Sequence, residues 1–245
     1  NIIRKVLIQF GVICLLVAAA ANTGYAQIFT DVKSDSKLNE ELTVLNNLGG
    51  VIQSPNGTFR ADDPITRYEV AEFIVRTLQI DLEMSAIPTY LDIPTEDPRM
   101  PVIAAITELG MMTGYEGKFN PDAKLTRAQA VKILAPAFQL SGQTAIPYTD
   151  ITKNHSAAPA IAALVANKIV FPAKNEKFNP SDMMTRGNFI SYLARIVEPS
   201  LRPTEPEQPV FQSCVKEEAK KRYVVDVAVT NLWNKPNQAR AVDYP

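Results

Sequence analysis

Histidine, cysteine and tryptophan are almost missing from this chain, with 1 His, 2 Cys and 1 Trp in 245 residues. That scarcity excludes most self-contained catalytic and metal chemistry. A zinc site or a His-based triad would have to be built around His155, with at most one cysteine to help. His155 stands in a polar loop and reads as a solvated residue, so no catalytic group, metal site or cofactor is expected here. An excess of positive charge is also lacking, since 25 Lys and Arg face 26 Asp and Glu. Nucleic acid is therefore excluded as a partner, because a binder must neutralise phosphates.

Long apolar runs are missing too, apart from one at the start. Arg4 and Lys5 precede an apolar stretch from Val6 to Ala21, and small residues at Gly24 and Ala26 suit cleavage before Gln27. Sixteen residues fall short of the roughly 20 that span a bilayer. Residues 1–26 are expected to be a secretory signal peptide, leaving no stable membrane span. Its removal takes the formal charge from -1 to -3, because two cations and no anions are lost. Cys214 is then the one remaining cysteine, so a disulfide within the mature chain is excluded.

What the chain does have is a repeat. Phe59, Phe119 and Phe178 are each followed eight positions later by the arginine of a Thr-Arg pair: Arg67, Arg127 and Arg186. The segments read FRADDPITR, FNPDAKLTR and FNPSDMMTR, with the arginines 60 and 59 residues apart. Upstream, Phe29-Thr30-Asp31, Tyr90-Leu91-Asp92 and Tyr148-Thr149-Asp150 precede those arginines by 36, 35 and 36 residues. A repeat of this length is a small helical unit that cannot bury its core alone. Units are expected at 28–85, 86–143 and 144–200.

Each unit reads as helix, turn, helix, which makes the fold class all-α. Leu38, Leu42, Leu45 and Leu48 recur at helical spacing, as do Val102, Ile106 and Leu109, and then Ile161, Leu164 and Val165. Gly49-Gly50 and Gly110 stop the first two of these helices, whereas Lys168 holds the equivalent place in the third and predicts a different ending. The second helix starts at the Thr-Arg pair. Its apolar columns are Val70, Ala130, Phe189; Ala71, Val131, Ile190; Ile74, Leu134, Leu193; and Leu78, Phe138, Val197. Such a wide stripe belongs at the centre of a bundle. Pro136 is expected to kink or shorten the helix of repeat two.

The threonines have a structural explanation. Thr66 with Glu69 and Thr126 with Gln129 fit a helix capping box, and Thr185 with Asn188 fits it loosely. The arginines do not share it. A cation in the first helical turn faces the positive end of the helix dipole, which costs about 0.3 to 1 kcal/mol when exposed. Three such cations require nearby anions. The internal candidates are Asp31, Asp92 and Asp150, or Asp62 and Asp122. The external candidate is a carboxylate or phosphate ligand held by guanidinium and open first-turn amides.

The order aromatic-x-Asp-Val, helix, Gly, turn, Phe-x-Pro-Asp, Leu-Thr-Arg resembles the S-layer homology domain, over about 170 of 245 residues and in three copies. The resemblance implies a pseudo-threefold helical assembly with ligand grooves between neighbouring repeats. It implies non-covalent anchoring of an exported surface protein to a peptidoglycan-associated secondary cell-wall polysaccharide that commonly carries pyruvate ketals. It also implies that Arg67, Arg127 and Arg186 contact the glycan carboxylate, with Asp31, Asp92, Asp150, Gly114 and Tyr115 lining grooves. The family's Ala-Glu after the arginine is replaced by Tyr68-Glu69, Ala128-Gln129 and Gly187-Asn188. Its helix tryptophan is replaced by Lys37, Pro98 and Ser156, and its turn glycine survives as Gly114, with Gln53 and Pro172 elsewhere. The best groove is thus expected around Gly114, Tyr115 and Arg127, and repeat three is expected to be structural.

Beyond the repeats, Pro199, Pro203, Pro206 and Pro209 mark an extended linker, placed at 201–213. Tyr223, Val225, Val227 and Val229 then alternate as in a strand, so 214–245 reads as the start of a β-rich segment that is cut short. The chain is expected to be a fragment at both ends. Its final stretch, VAVTNLWNKPNQARAVDYP, is similar to the opening of a wall-binding domain found in cell-wall cysteine endopeptidases. That resemblance implies an alternative role as the anchor of a peptidoglycan-cleaving enzyme.

Overall fold

The computed structural model describes residues 27–51, 56–83, 86–172 and 176–204. The expected signal peptide, the β-rich segment and most of the Pro-rich linker lie outside these residues. The chain divides into two units, Asn1–Glu207 and Gln208–Pro245, and every described residue belongs to the first. Six α-helices are described: α1 Lys37–Asn47, α2 Arg67–Thr77, α3 Met100–Glu108, α4 Arg127–Ala137, α5 Ala158–Ala166 and α6 Arg186–Val197. A 3-10 turn, Pro199–Leu201, follows α6. No described helix is long and apolar enough to cross a membrane.

Helices start where capping chemistry allows. Ser36 caps α1 by accepting from the Asn39 amide, while prolines in the first turn of α3 and α5 remove donors that would have no partner there. Half-buried His155 accepts from the Ala157 amide at 3.1 Å, so it organises the entry to α5.

First helices end alike. Gly49 and Gly110 take φ of 74° and 67°, and Lys168 takes 58°, so repeat three does not terminate differently as its sequence predicted. A left-handed lysine costs about 1–2 kcal/mol. Here the Lys168 and Ile169 amides close onto Val165 and Leu164 at 3.0 and 2.9 Å, and Ile169 becomes fully buried. Those gains offset the strain. Pro136 leaves α4 at 11 residues, the length of α2, because it falls in the last turn, where one lost main-chain bond matters least.

The repeats pack on one another in a cycle. The second helix of each unit lies against the first helix of the next: α2 on α3, α4 on α5, and α6 back on α1. The columns at Val70, Ala130, Phe189, at Ala71, Val131, Ile190 and at Ile74, Leu134, Leu193 are all fully buried. At the centre, three main-chain bonds close a ring. Leu125 donates to Ile65 at 3.1 Å, Met184 donates to Leu125 at 2.9 Å, and Ile65 donates to Met184 at 2.8 Å. No repeat can complete this ring alone, which is the physical form of the shared core expected from the sequence.

Candidate functional site

Caps put the three arginines in place. Thr66 and Thr126 accept from the Glu69 and Gln129 amides at 3.1 and 3.3 Å, while those side chains return to the Thr66 and Thr126 amides at 2.8 and 2.9 Å. Thr185 accepts from the Asn188 amide at 3.2 Å. The arginine that follows is in each case the first helical residue.

Every arginine reaches into the next repeat. The Arg67 Nε donates to the Phe119 carbonyl at 2.8 Å, the Arg127 Nε to Phe178 at 2.8 Å, and the Arg186 Nε to Phe59 at 2.9 Å. The guanidinium also lies over the ring of that phenylalanine, at 5.0, 4.8 and 4.9 Å. Each phenylalanine ring also packs on Phe29, Tyr90 or Tyr148, with centroids 5.3 to 5.6 Å apart. The aromatic residue and the arginine eight positions later therefore belong to different grooves.

The first-turn amides are occupied rather than open. Arg67 and Tyr68 donate to Ala123 and Pro121, Arg127 and Ala128 to Asp182 and Pro180, and Arg186 and Gly187 to Asp63 and Ala61. An external anion must then be held by side chains. The repeat-start aspartates are also committed elsewhere. Asp31 receives the Phe59 and Arg60 amides at 2.7 and 2.7 Å, Asp92 the Phe119 and Asn120 amides at 2.9 and 2.6 Å, and Asp150 the Phe178 and Asn179 amides at 2.8 and 2.7 Å. These bonds hold Arg60, Asn120 and Asn179 at φ of 60°, 56° and 54°, which aims the phenylalanine carbonyl at the incoming guanidinium. Burial raises the Asp31 pKa, but the two amides and Arg186 outweigh it and hold the carboxyl below its usual value. Asp122 pairs with Arg99 at 3.0 Å, and exposed Asp62 forms no ion pair among the described residues.

The remaining guanidinium nitrogens distinguish the three grooves. Arg186 is buried and forms a short ion pair with Glu69, whose same oxygen is 3.9 Å from Arg60. Arg127 donates to the Tyr192 hydroxyl at 3.2 Å. Arg67 donates to the Thr113 carbonyl at 3.1 Å, and among the described residues neither Arg67 nor Arg127 forms an ion pair with a carboxylate. Burial pulls the Arg67 pKa below its usual value, opposed by Tyr90 and Asp92.

The turn that carries Gly114 and Tyr115 accordingly meets Arg67 through Thr113, while Arg127 reaches into repeat three. Gly114 is needed for close approach, since a Cβ there would lie 2.5 Å from the Tyr90 ring and 2.7 Å from the Lys118 carbonyl. Tyr115 is 75% exposed beside this turn, and Leu91 is 78% exposed. The Arg99 guanidinium lies over the Tyr68 ring, 5.9 Å from its centroid. Burial, with Glu72 beside it, pushes the Tyr68 hydroxyl up to about 12. Sequence reasoning missed the Thr113 carbonyl and the Tyr192 hydroxyl, which carry no motif. It also missed the second role of Glu69, although the contrast with Gln129 and Asn188 was present in the repeats.

The S-layer homology domain family matches residues 28–71, 89–131 and 147–190. An uncharacterized cell wall amidase of Bacillus anthracis is 26% identical over 74% of this chain and 34% of its own length. An S-layer protein of Bacillus thuringiensis subsp. finitimus is 24% identical over 68% of this chain and 21% of its own length. The S-layer protein sap of Bacillus anthracis is 28% identical over 56% of this chain and 16% of its own length. The chain thus spans about a third or less of these relatives.

Proposed function

Because this chain belongs to the S-layer homology domain family, we propose that it holds an exported protein at the bacterial cell wall by binding an anionic, pyruvylated wall polysaccharide, with Arg67 as its principal anion contact. The observation that carries this is the partner set of Arg67. Its two side-chain hydrogen bonds go to main-chain carbonyls, which orient the guanidinium without neutralising it. A half-buried cation in that state gains from a ligand carboxylate, and a pyruvate ketal presents one. Exposed Tyr115 borders the turn that orients Arg67 and offers a ring face for a sugar.

A charge-assisted hydrogen bond contributes about 1.5–3 kcal/mol, so Arg67→Ala should weaken binding to purified wall polysaccharide about ten- to hundredfold. Co-sedimentation of the chain with that polysaccharide reads the change, with circular dichroism to establish that the variant is folded. Equal retention of wild type and a folded Arg67→Ala variant would remove Arg67 from this role.

The similarity to a cell wall amidase favours a second reading, in which these repeats anchor a wall-cleaving enzyme whose catalytic domain lies outside this chain. Assay of the complete gene product on peptidoglycan distinguishes the two.

A further inference from the structure

Asn56-Gly57 is the one Asn-Gly pair in the sequence, and it lies in the turn ahead of Phe59. Asn56 is exposed. Its side-chain Oδ1 receives two donors from Thr58, the hydroxyl at 2.8 Å and the amide at 3.3 Å. Two donors on one carbonyl oxygen draw electrons from Cγ, and they are in place to stabilise the negative charge that develops on Oδ1 when a nucleophile adds. The Gly57 nitrogen, one residue on, closes a five-membered ring by such an attack. Glycine leaves it uncrowded, since among the described residues a Cβ added to Gly57 would meet nothing closer than the Thr30 methyl, at 3.8 Å.

We propose that Asn56 is a site of spontaneous deamidation and isoaspartate formation. The Gly57 nitrogen bonds to Asn56 Cγ as the bond from Cγ to the side-chain NH2 breaks, and the Gly57 amide proton leaves with that group as ammonia. Water then opens the resulting succinimide at either carbonyl. One opening gives aspartate at position 56, and the other gives isoaspartate, in which the main chain runs through the side-chain carbon. In both, an amide becomes a carboxylate with water as the one co-reactant.

The two products differ in what they do to the fold. Repeat two has Glu116-Gly117 at this place, and there the Gly117 carbonyl still receives the Leu91 amide at 2.8 Å, so an acid before the glycine is compatible with the turn. Isoaspartate instead adds an atom to the main chain next to Gly57. The Gly57 carbonyl receives the Thr30 amide at 2.8 Å and the Thr30 hydroxyl at 3.2 Å, which tie the turn to the start of repeat one. Next to Thr30, Asp31 holds the Phe59 and Arg60 amides, and the Phe59 carbonyl receives Arg186. A displaced Gly57 carbonyl therefore loosens the contact of repeat three with repeat one, while the aspartate product leaves it in place.

The test is incubation of the chain at neutral pH and physiological temperature for several weeks. Peptide mass spectrometry and isoaspartyl methyltransferase with labelled S-adenosylmethionine read the products. Most of the peptide containing residue 56 is expected to exchange NH2 for OH, with isoaspartate in excess over aspartate and the other asparagines largely intact. Asn56→Gln should remove the reaction, because its longer side chain would have to close a six-membered ring. Thr58→Val should slow it about tenfold, the worth of one hydrogen bond to the developing anion. By hydrogen exchange, aged wild type should lose protection at the Thr30, Phe59 and Arg60 amides in proportion to its isoaspartate, whereas Asn56→Asp should keep it.

An intact Asn56 after an incubation in which the urea-unfolded chain converts would overturn the proposal, because the folded turn would then protect the residue. Equal rates for wild type and Thr58→Val would overturn the part given to the two donors. Full protection at Thr30 in isoaspartate-rich protein would overturn the structural consequence.

Discussion

Glu41→Val tests whether the ring of repeats is closed by the contact between α6 and α1. Glu41 and Arg195 have side chains 1% and 7% exposed, joined at 2.9 Å. Arg195 also donates to the Ile169 carbonyl at 3.1 Å, and the Ser191 hydroxyl donates to the second Glu41 oxygen. At the other two interfaces the counterparts of Glu41 are Val102 and Ala160, so valine fits the position. Removing the carboxylate breaks a buried ion pair, which costs about 3–5 kcal/mol. At about 2–4 °C per kcal/mol for a unit of this size, the Tm should fall by about 6–20 °C. Arg195→Met should cost a similar amount. The double variant should lose much less than the sum, because two apolar residues then meet where a pair had to be desolvated. Urea unfolding followed by circular dichroism measures all four corners of the cycle. Single costs below about 1 kcal/mol, or strict additivity, would refute the claim that this pair acts as one buried unit.

Acid should loosen the contacts between loops before the helices. Arg99 holds Asp97 down at about 2, and Asp31 is held below its usual value of 3.8, so both contributions are complete above that value. They are lost as pH falls through the depressed folded values. Tm should therefore fall between pH 4 and pH 2, and Asp97→Asn should flatten part of that slope; a wild-type Tm that stays level would contradict this. Gly114→Ala should lower both Tm and glycan affinity, because the added Cβ must displace the Tyr90 ring or the Lys118 carbonyl and with them the turn that orients Arg67. Unchanged binding with lowered Tm would separate the turn from the site. Thr66→Ala should cost about 0.5–2 kcal/mol in denaturant unfolding through loss of the cap of α2, and a cost near zero would remove the cap from the account.

The helices, their caps and the buried columns were legible because they follow from local spacing. Thr66, Thr126 and Thr185 precede their helices, and nine apolar residues at fixed offsets from the arginines are buried. What the spacing could not give was the partner of each element. Phe119 and Arg127 lie in one motif, yet Arg127 meets Phe178 and Phe119 meets Arg67. The expected groove of Gly114, Tyr115 and Arg127 joined residues that are near in sequence, whereas the fold joins residues of adjacent repeats. Lys168 was misread for a related reason, since a left-handed residue that glycine normally supplies is tolerated where Ile169 is buried behind it. One signal was available and unused: Glu41 is an acid in a column that is otherwise Val102 and Ala160.

In the proposed function, Arg67 recognises a carboxylate on the wall glycan. Its most direct test is titration of the chain with purified wall polysaccharide before and after chemical removal of the pyruvate ketal. The account predicts saturable binding to the native polymer, loss of that binding on depyruvylation, and the same loss for Arg67→Ala on the native polymer. Equal affinity for native and depyruvylated polysaccharide would contradict it.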